Sequence, residues 1–134
     1  MKIVRGILIV NLVVQTTLGS IMVLAPLLMS RLIYVDQPSI FVQAIGSVAL
    51  SIGLLIWLCL QKTRDNPNVD LVYTTLVVLT VFNLGLSVFL GLGAYRGLIS
   101  WLGVIIHLPL MLLCIYALLV IGVIGQDNTK RSKA

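Results

Sequence analysis

Glutamate is missing from this 134-residue chain, and its four acidic residues, Asp36, Asp65, Asp70 and Asp127, all fall outside the long apolar runs. Charge of either sign is scarce: 10% of residues are charged and 60% are hydrophobic, with a mean hydropathy of +1.15. A soluble domain carries about 25% charged residues. Polar side chains could not cover a soluble core here, so lipid must supply part of the solvent. The scarcity also removes function classes. Hydrolytic chemistry needs a carboxylate, a metal cluster or a nucleophile–base pair, and none can be assembled. Proton relays and ion-coupled transport draw on titratable groups inside the membrane, and apart from Arg5 at its edge the apolar sequence has no Asp, Glu, Lys or Arg. The formal charge of +5 comes from basic residues scattered over short connections and ends. They form no stripe with interleaved aromatics, which argues against nucleic acid as a partner. Only two cysteines occur, Cys59 and Cys114, both within apolar sequence. Their depths should differ by about 10 Å at a rise of 1.5 Å per residue, too far for a disulfide. They read as small packing residues.

What the chain does have is four apolar runs, each near the length of about 20 residues that crosses hydrocarbon. They cover residues 4–29, 40–61, 71–93 and 101–125, and residues 126–134 (QDNTKRSKA) read as a polar tail. The connections hold the turn formers Asp, Asn, Pro and Gly. The first run is too long for a signal-peptide hydrophobic region and has no small-residue cleavage site after it, so it is expected to be a retained span. The expected fold is all-α: an integral membrane bundle of four transmembrane helices in one domain. Lys2, Arg5, Lys62, Arg64, Lys130, Arg131 and Lys133 would share one side, against Arg31 and Arg96 on the other. That bias predicts that both termini are cytoplasmic. Trp101, Tyr34 and Tyr95 then fall at the outer interface, and Trp57 and Tyr73 near the inner one. An internal echo links NLVVQTTLG (11–19) to NLGLSVFLG (83–91), two segments in helices of the same direction. It is consistent with a duplicated helical hairpin.

Lipid offers polar side chains no partners, so their positions mark inward faces. On a wheel of 100° per residue, Asn11, Gln15, Gly19, Met22 and Pro26 form one stripe of the first helix. The second groups Gln43, Gly46 and Ser47; the third groups Thr80, Asn83, Ser87 and Gly91; the fourth groups Ser100, Gly103, His107, Cys114 and Gly125. Counting depth from the span centres predicts two polar layers. One holds Gln43, Ser87 and His107, and a more central one holds Gln15 and Asn83.

His107 is the single histidine, and an imidazole in hydrocarbon needs a partner. In one reading it is structural, bonded to Gln43, Ser87 or a backbone carbonyl; Pro109 lacks an amide hydrogen and so releases the carbonyl of Ile105. In a second, it is the axial ligand of a macrocycle. The Gly103-x-x-x-His107 spacing resembles the small-x-x-x-His segments of bacterial light-harvesting polypeptides, in which a small residue leaves room for a flat ring. The ligand-binding candidates are therefore His107, Gln43, Ser87, Asn83 and Gly103. No catalytic residue is expected, and no metal or cofactor unless His107 carries a bacteriochlorophyll or haem-type pigment.

The four-span layout, with Gly19 and Pro26 in the first helix and AIGSVALSIGLLIWL (44–58) in the second, resembles the DoxX-like group of small bacterial membrane proteins. The resemblance implies a four-helix architecture in a bacterial cytoplasmic (inner) membrane. Some members of the group are accessory subunits of respiratory or redox complexes. The expected function is accordingly non-enzymatic: an accessory or structural subunit of a larger membrane complex, with the bilayer and other membrane subunits as partners. The alternative is a binding module for a lipophilic ligand such as a quinone, lipid or pigment at His107.

Overall fold

Backbone amides in hydrocarbon have no water to bond, so apolar runs of this length must satisfy themselves as helices. A computed structural model describes residues 2–32, 39–65, 68–93 and 98–131, and apart from short turns these are helical throughout. The helices are α1 (Lys2–Leu24), α2 (Pro26–Leu32), α3 (Ser39–Lys62), α4 (Val69–Gly93) and α5 (Leu98–Arg131). Four of them, α1, α3, α4 and the Gly103–Gly122 part of α5, are long and apolar enough to cross a membrane. Tyr34, Tyr95, Arg96 and Lys133, placed above from the sequence, lie outside the described residues.

Local chemistry explains the boundaries. Pro26 has no amide hydrogen and a fixed φ suited to the first position of a helix, so the first run divides at Ala25 into α1 and the seven-residue α2. Asn68 caps α4, its Oδ1 accepting from the Leu71 amide at 2.9 Å. Nothing between Gly125 and Arg131 stops a helix, and α5 continues through Gln126–Arg131, residues that read as tail in the sequence.

The buried positions of each helix recur at intervals of three and four. In α1 they are Val4, Ile7, Leu8, Asn11, Gln15, Gly19 and Met22. In α5 they include Gly103, His107, Leu110, Cys114, Ala117 and Ile121. Such spacing makes an a/d-type seam and aligns helices side by side. α1 packs mainly on α3 and α4 mainly on α5, so the bundle is two antiparallel hairpins joined along thinner α1–α5 and α3–α4 seams. Phe41 and Phe89 close the α3–α4 seam near one end, with ring centroids 5.6 Å apart.

Glycine sets the α1–α3 crossing. A methyl on Gly46 would lie 2.6 Å from Met22 Cβ, and one on Gly19 would lie 2.9 Å from the Gly46 carbonyl. The two backbones approach as closely as small residues permit. Two apolar clusters fill the interior. One holds Leu8, Ile56, Leu76 and Ala117 with their neighbours, and the other holds Met22, Met29, Val42 and Leu90. The buried polar residues fall between them along the helices, except Thr75, which lies beside Val72 and Leu76 of the first cluster. Outward, all four long helices expose large aliphatic side chains, such as Val13, Leu54, Val81 and Leu119.

Candidate functional site

The polar side chains between the two apolar clusters come from three helices. α1 supplies Asn11 and Gln15, one turn apart; α4 supplies Asn83; α5 supplies His107 and Cys114, two turns apart. Each occupies a seam position, and each is at most 2% exposed.

Their hydrogen bonds have a defined direction. The Leu79 carbonyl can only accept, so the Asn83 atom 2.9 Å from it is Nδ2; likewise the Ile7 carbonyl fixes Asn11 Nδ2 at 3.0 Å. The same Asn83 Nδ2 donates to Asn11 Oδ1 at 3.2 Å. Asn83 Oδ1 is left to accept, from Gln15 Nε2 at 3.4 Å and from His107 Nδ1 at 2.8 Å. This orientation assigns the ring proton of His107 to Nδ1. Asn11 Nδ2 completes the path by donating to Cys114 Sγ at 3.6 Å. The chain of bonds runs from α5 to α4, on to α1, and back to α5. It is a closed circuit stitching three helices together. Phe82 stands edge-on to the imidazole, with ring centroids 6.5 Å apart. Among the described residues, every buried side-chain nitrogen or oxygen has a hydrogen-bond partner.

The sequence-predicted residues divide into those the circuit contains and those it does not. His107 and Asn83 meet directly, so the histidine's partner is neither Gln43, nor Ser87, nor the Ile105 carbonyl. The expected two layers are one. Ser87 is buried beside it, but its hydroxyl donates to the Asn83 carbonyl of its own helix at 2.7 Å. Gln43 is elsewhere: it is exposed on α3, and its Nε2 donates to the Val23 carbonyl at 3.4 Å. Gly46 must face α1 for the close crossing, and the α3 seam of Val42, Gly46, Ala49, Gly53 and Ile56 turns Gln43 and Ser47 outward. Gly103 is buried against α4, where a methyl would run into the Leu90 side chain. The room this glycine leaves is therefore filled by protein. Cys59 and Cys114 are both free and buried.

Sequence reasoning placed Asn11 on the inward stripe but missed it as a partner of Asn83. The signal was present in the echo between 11–19 and 83–91, because the two asparagines that open those segments bond to each other. Thr75, also buried, was missed; its hydroxyl serves the Leu71 carbonyl at 2.8 Å, an internal helix bond that leaves no trace in a polarity pattern.

Among the described residues, no group of three or more His, Cys, Asp or Glu could hold a metal ion. The circuit is built from two asparagine amides, a glutamine amide, an imidazole and a thiol, and it contains no carboxylate, lysine or arginine. No protein-family model, curated protein or solved structure matches the chain. Fold and site define a helical bundle, with four helices able to span a membrane, locked by a buried amide–imidazole circuit.

Proposed function

We propose that this protein is a non-enzymatic integral membrane protein that acts as an accessory subunit of a larger membrane complex, docking through the outward face of α3. The observation that carries the reading is the polar row Gln43, Ser47 and Ser51, exposed at four-residue spacing on a helix whose other exposed residues include Ile40, Val48, Leu54 and Leu58. The Ser47 and Ser51 hydroxyls bond back to the carbonyls of Gln43 and Ser47 at 3.0 and 2.9 Å. Lipid gives such a row nothing. A second helix would gain close approach over the two serines and a hydrogen bond from Gln43, the combination that drives helix association in membranes. The resemblance to the DoxX-like group, some of whose members are accessory subunits, supports the same reading. The excess of basic residues at one end favours an orientation with both termini in the cytoplasm, and the same resemblance points to a bacterial cytoplasmic membrane.

A macrocycle or quinone at His107 is the less supported reading. Phe82 stands edge-on to the imidazole and Leu90 fills the space beside Gly103, so the room a flat ring would need is taken by protein, although the Nδ1 bond to Asn83 would itself leave Nε2 available as a ligand.

The test is native electrophoresis of a mild-detergent extract. Wild type should co-migrate with a larger assembly. Ser47→Leu combined with Ser51→Leu should release a bundle of unchanged melting temperature. A wild type that extracts as an isolated, stable monomer refutes the accessory role.

A further inference from the structure

A second feature lies at the end of the bundle where α1 begins and α3 ends. A partly open cavity of about 200 Å³ lies between α1, α4 and the α3 terminus, and three cations, Lys2, Arg5 and Arg64, line it. All three side chains are exposed. Its inner wall is apolar: Val4, Leu8 and Val72 are at most 2% exposed, and Leu60 joins them there. Thr63 lines the remaining side, and both its amide and its hydroxyl donate to the Cys59 carbonyl, at 3.0 and 2.7 Å. Of the four carbonyls that end α3, that of Cys59 is bonded in this way and that of Gln61 accepts from the Arg64 amide at 3.2 Å. Asp65 and Asp70 are close in sequence but do not line the cavity.

We propose that this cavity holds the headgroup of an anionic phospholipid, its phosphate between Lys2, Arg5 and Arg64 and its first acyl carbons against Val4, Leu8, Leu60 and Val72. The inference rests on the reading that the helices span a membrane. A free phosphate would satisfy the cations but has no use for an apolar wall. A phospholipid at the membrane surface matches both halves, and basic pockets between helices on the cytoplasmic side are where such headgroups bind. The cations that orient the protein thereby acquire a specific ligand.

Native mass spectrometry of the full chain, purified in mild detergent and mixed with equimolar phosphatidylglycerol and phosphatidylcholine, tests the proposal. Wild type should retain phosphatidylglycerol in clear preference, in the presence of inorganic phosphate as well as without it. Each cation contributes about a fivefold factor to such affinity, so Arg5→Gln and Arg64→Gln should each reduce the preference about fivefold. Lys62→Gln removes a cation from the same end that does not line the cavity, and should leave the preference unchanged. Equal effects of all three substitutions would mean a diffuse surface potential and overturn the site. Displacement of the lipid by millimolar phosphate would overturn the lipid as its occupant. Reconstitution into phosphatidylcholine vesicles separates the two readings. Protein that resists alkaline extraction yet shows no anionic preference overturns this proposal alone, whereas protein that washes off the vesicles overturns the membrane reading beneath it.

Discussion

Removing the amide of Asn83 should cost more than removing the imidazole of His107, and removing both should cost little more than removing the amide alone. Asn83 makes three bonds to other helices: to His107 at 2.8 Å, to Asn11 at 3.2 Å and to Gln15 at 3.4 Å. A hydrogen bond between helices in a membrane contributes about 0.6 kcal/mol on average and about 1.7 at most. Giving the short bond the upper value and the two long ones the average, Asn83→Ala should destabilise by about 3 kcal/mol, before any cavity cost. His107→Leu should cost about 1.7 kcal/mol, and somewhat more if Asn83 Oδ1 is left with only its long bond to Gln15. His107→Gln keeps a donor and an acceptor, and should lose no more than about 1–2 kcal/mol. The double variant loses the shared bond once. Its cost should fall below the sum of the single costs by about 1.7 kcal/mol, and the cavity term cancels in the cycle. The assay is reversible unfolding in mixed micelles followed by helix content. Additivity within about 0.5 kcal/mol would show that the two side chains are not coupled and would refute the circuit.

Two further outcomes test the frame around it. Gly46→Ala places a methyl 2.6 Å from Met22 Cβ and should destabilise by about 1–3 kcal/mol, whereas Gly85→Ala meets open space and should be neutral or stabilising; the same unfolding assay ranks them. A reporter fused after Ala134 should be active only in its cytoplasmic form, and a periplasmic signal would invert the orientation drawn from the basic residues.

The apolar runs and the inward stripe of α1 were legible because composition and a 100° wheel see them directly. Asn11, Gln15, Gly19 and Met22 of that stripe are buried, while its fifth member, Pro26, is half-buried at the start of α2. The α3 face was misread for a physical reason. Gln43, Gly46 and Ser47 lie within 100° of one another, so polarity alone could not say whether the glycine or the polar pair faced inward. The glycine does, because its contact with Gly19 needs an absent side chain. Depth counting failed for a related reason. It assigned His107 and Asn83 to different layers by setting the centres of the spans at one depth, whereas the bond between them shows that the centres of α4 and α5 are not level. A 2.8 Å bond cannot be read from span centres uncertain by a helical turn.

Beside Thr75 and Ser87, which are buried and bond carbonyls of their own helix, the polar groups described above are of two kinds, and the difference bears on function. Those in the circuit are buried and point at one another, and their removal should loosen the fold. Those on the outward face of α3 are spent on their own helix or on the Val23 carbonyl, and contribute little to holding α1, α4 and α5 together. A chain needing only to fold in lipid would gain by replacing Ser47 and Ser51 with leucine, since each exposed hydroxyl displaces a favourable aliphatic contact with acyl chains. Retaining them makes physical sense if the surface they face is another helix, which they let approach closely. If the row docks another helix, Ser47→Leu combined with Ser51→Leu is expected to leave the bundle at least as stable as wild type, and a loss of stability would return that row to the folding of the protein itself.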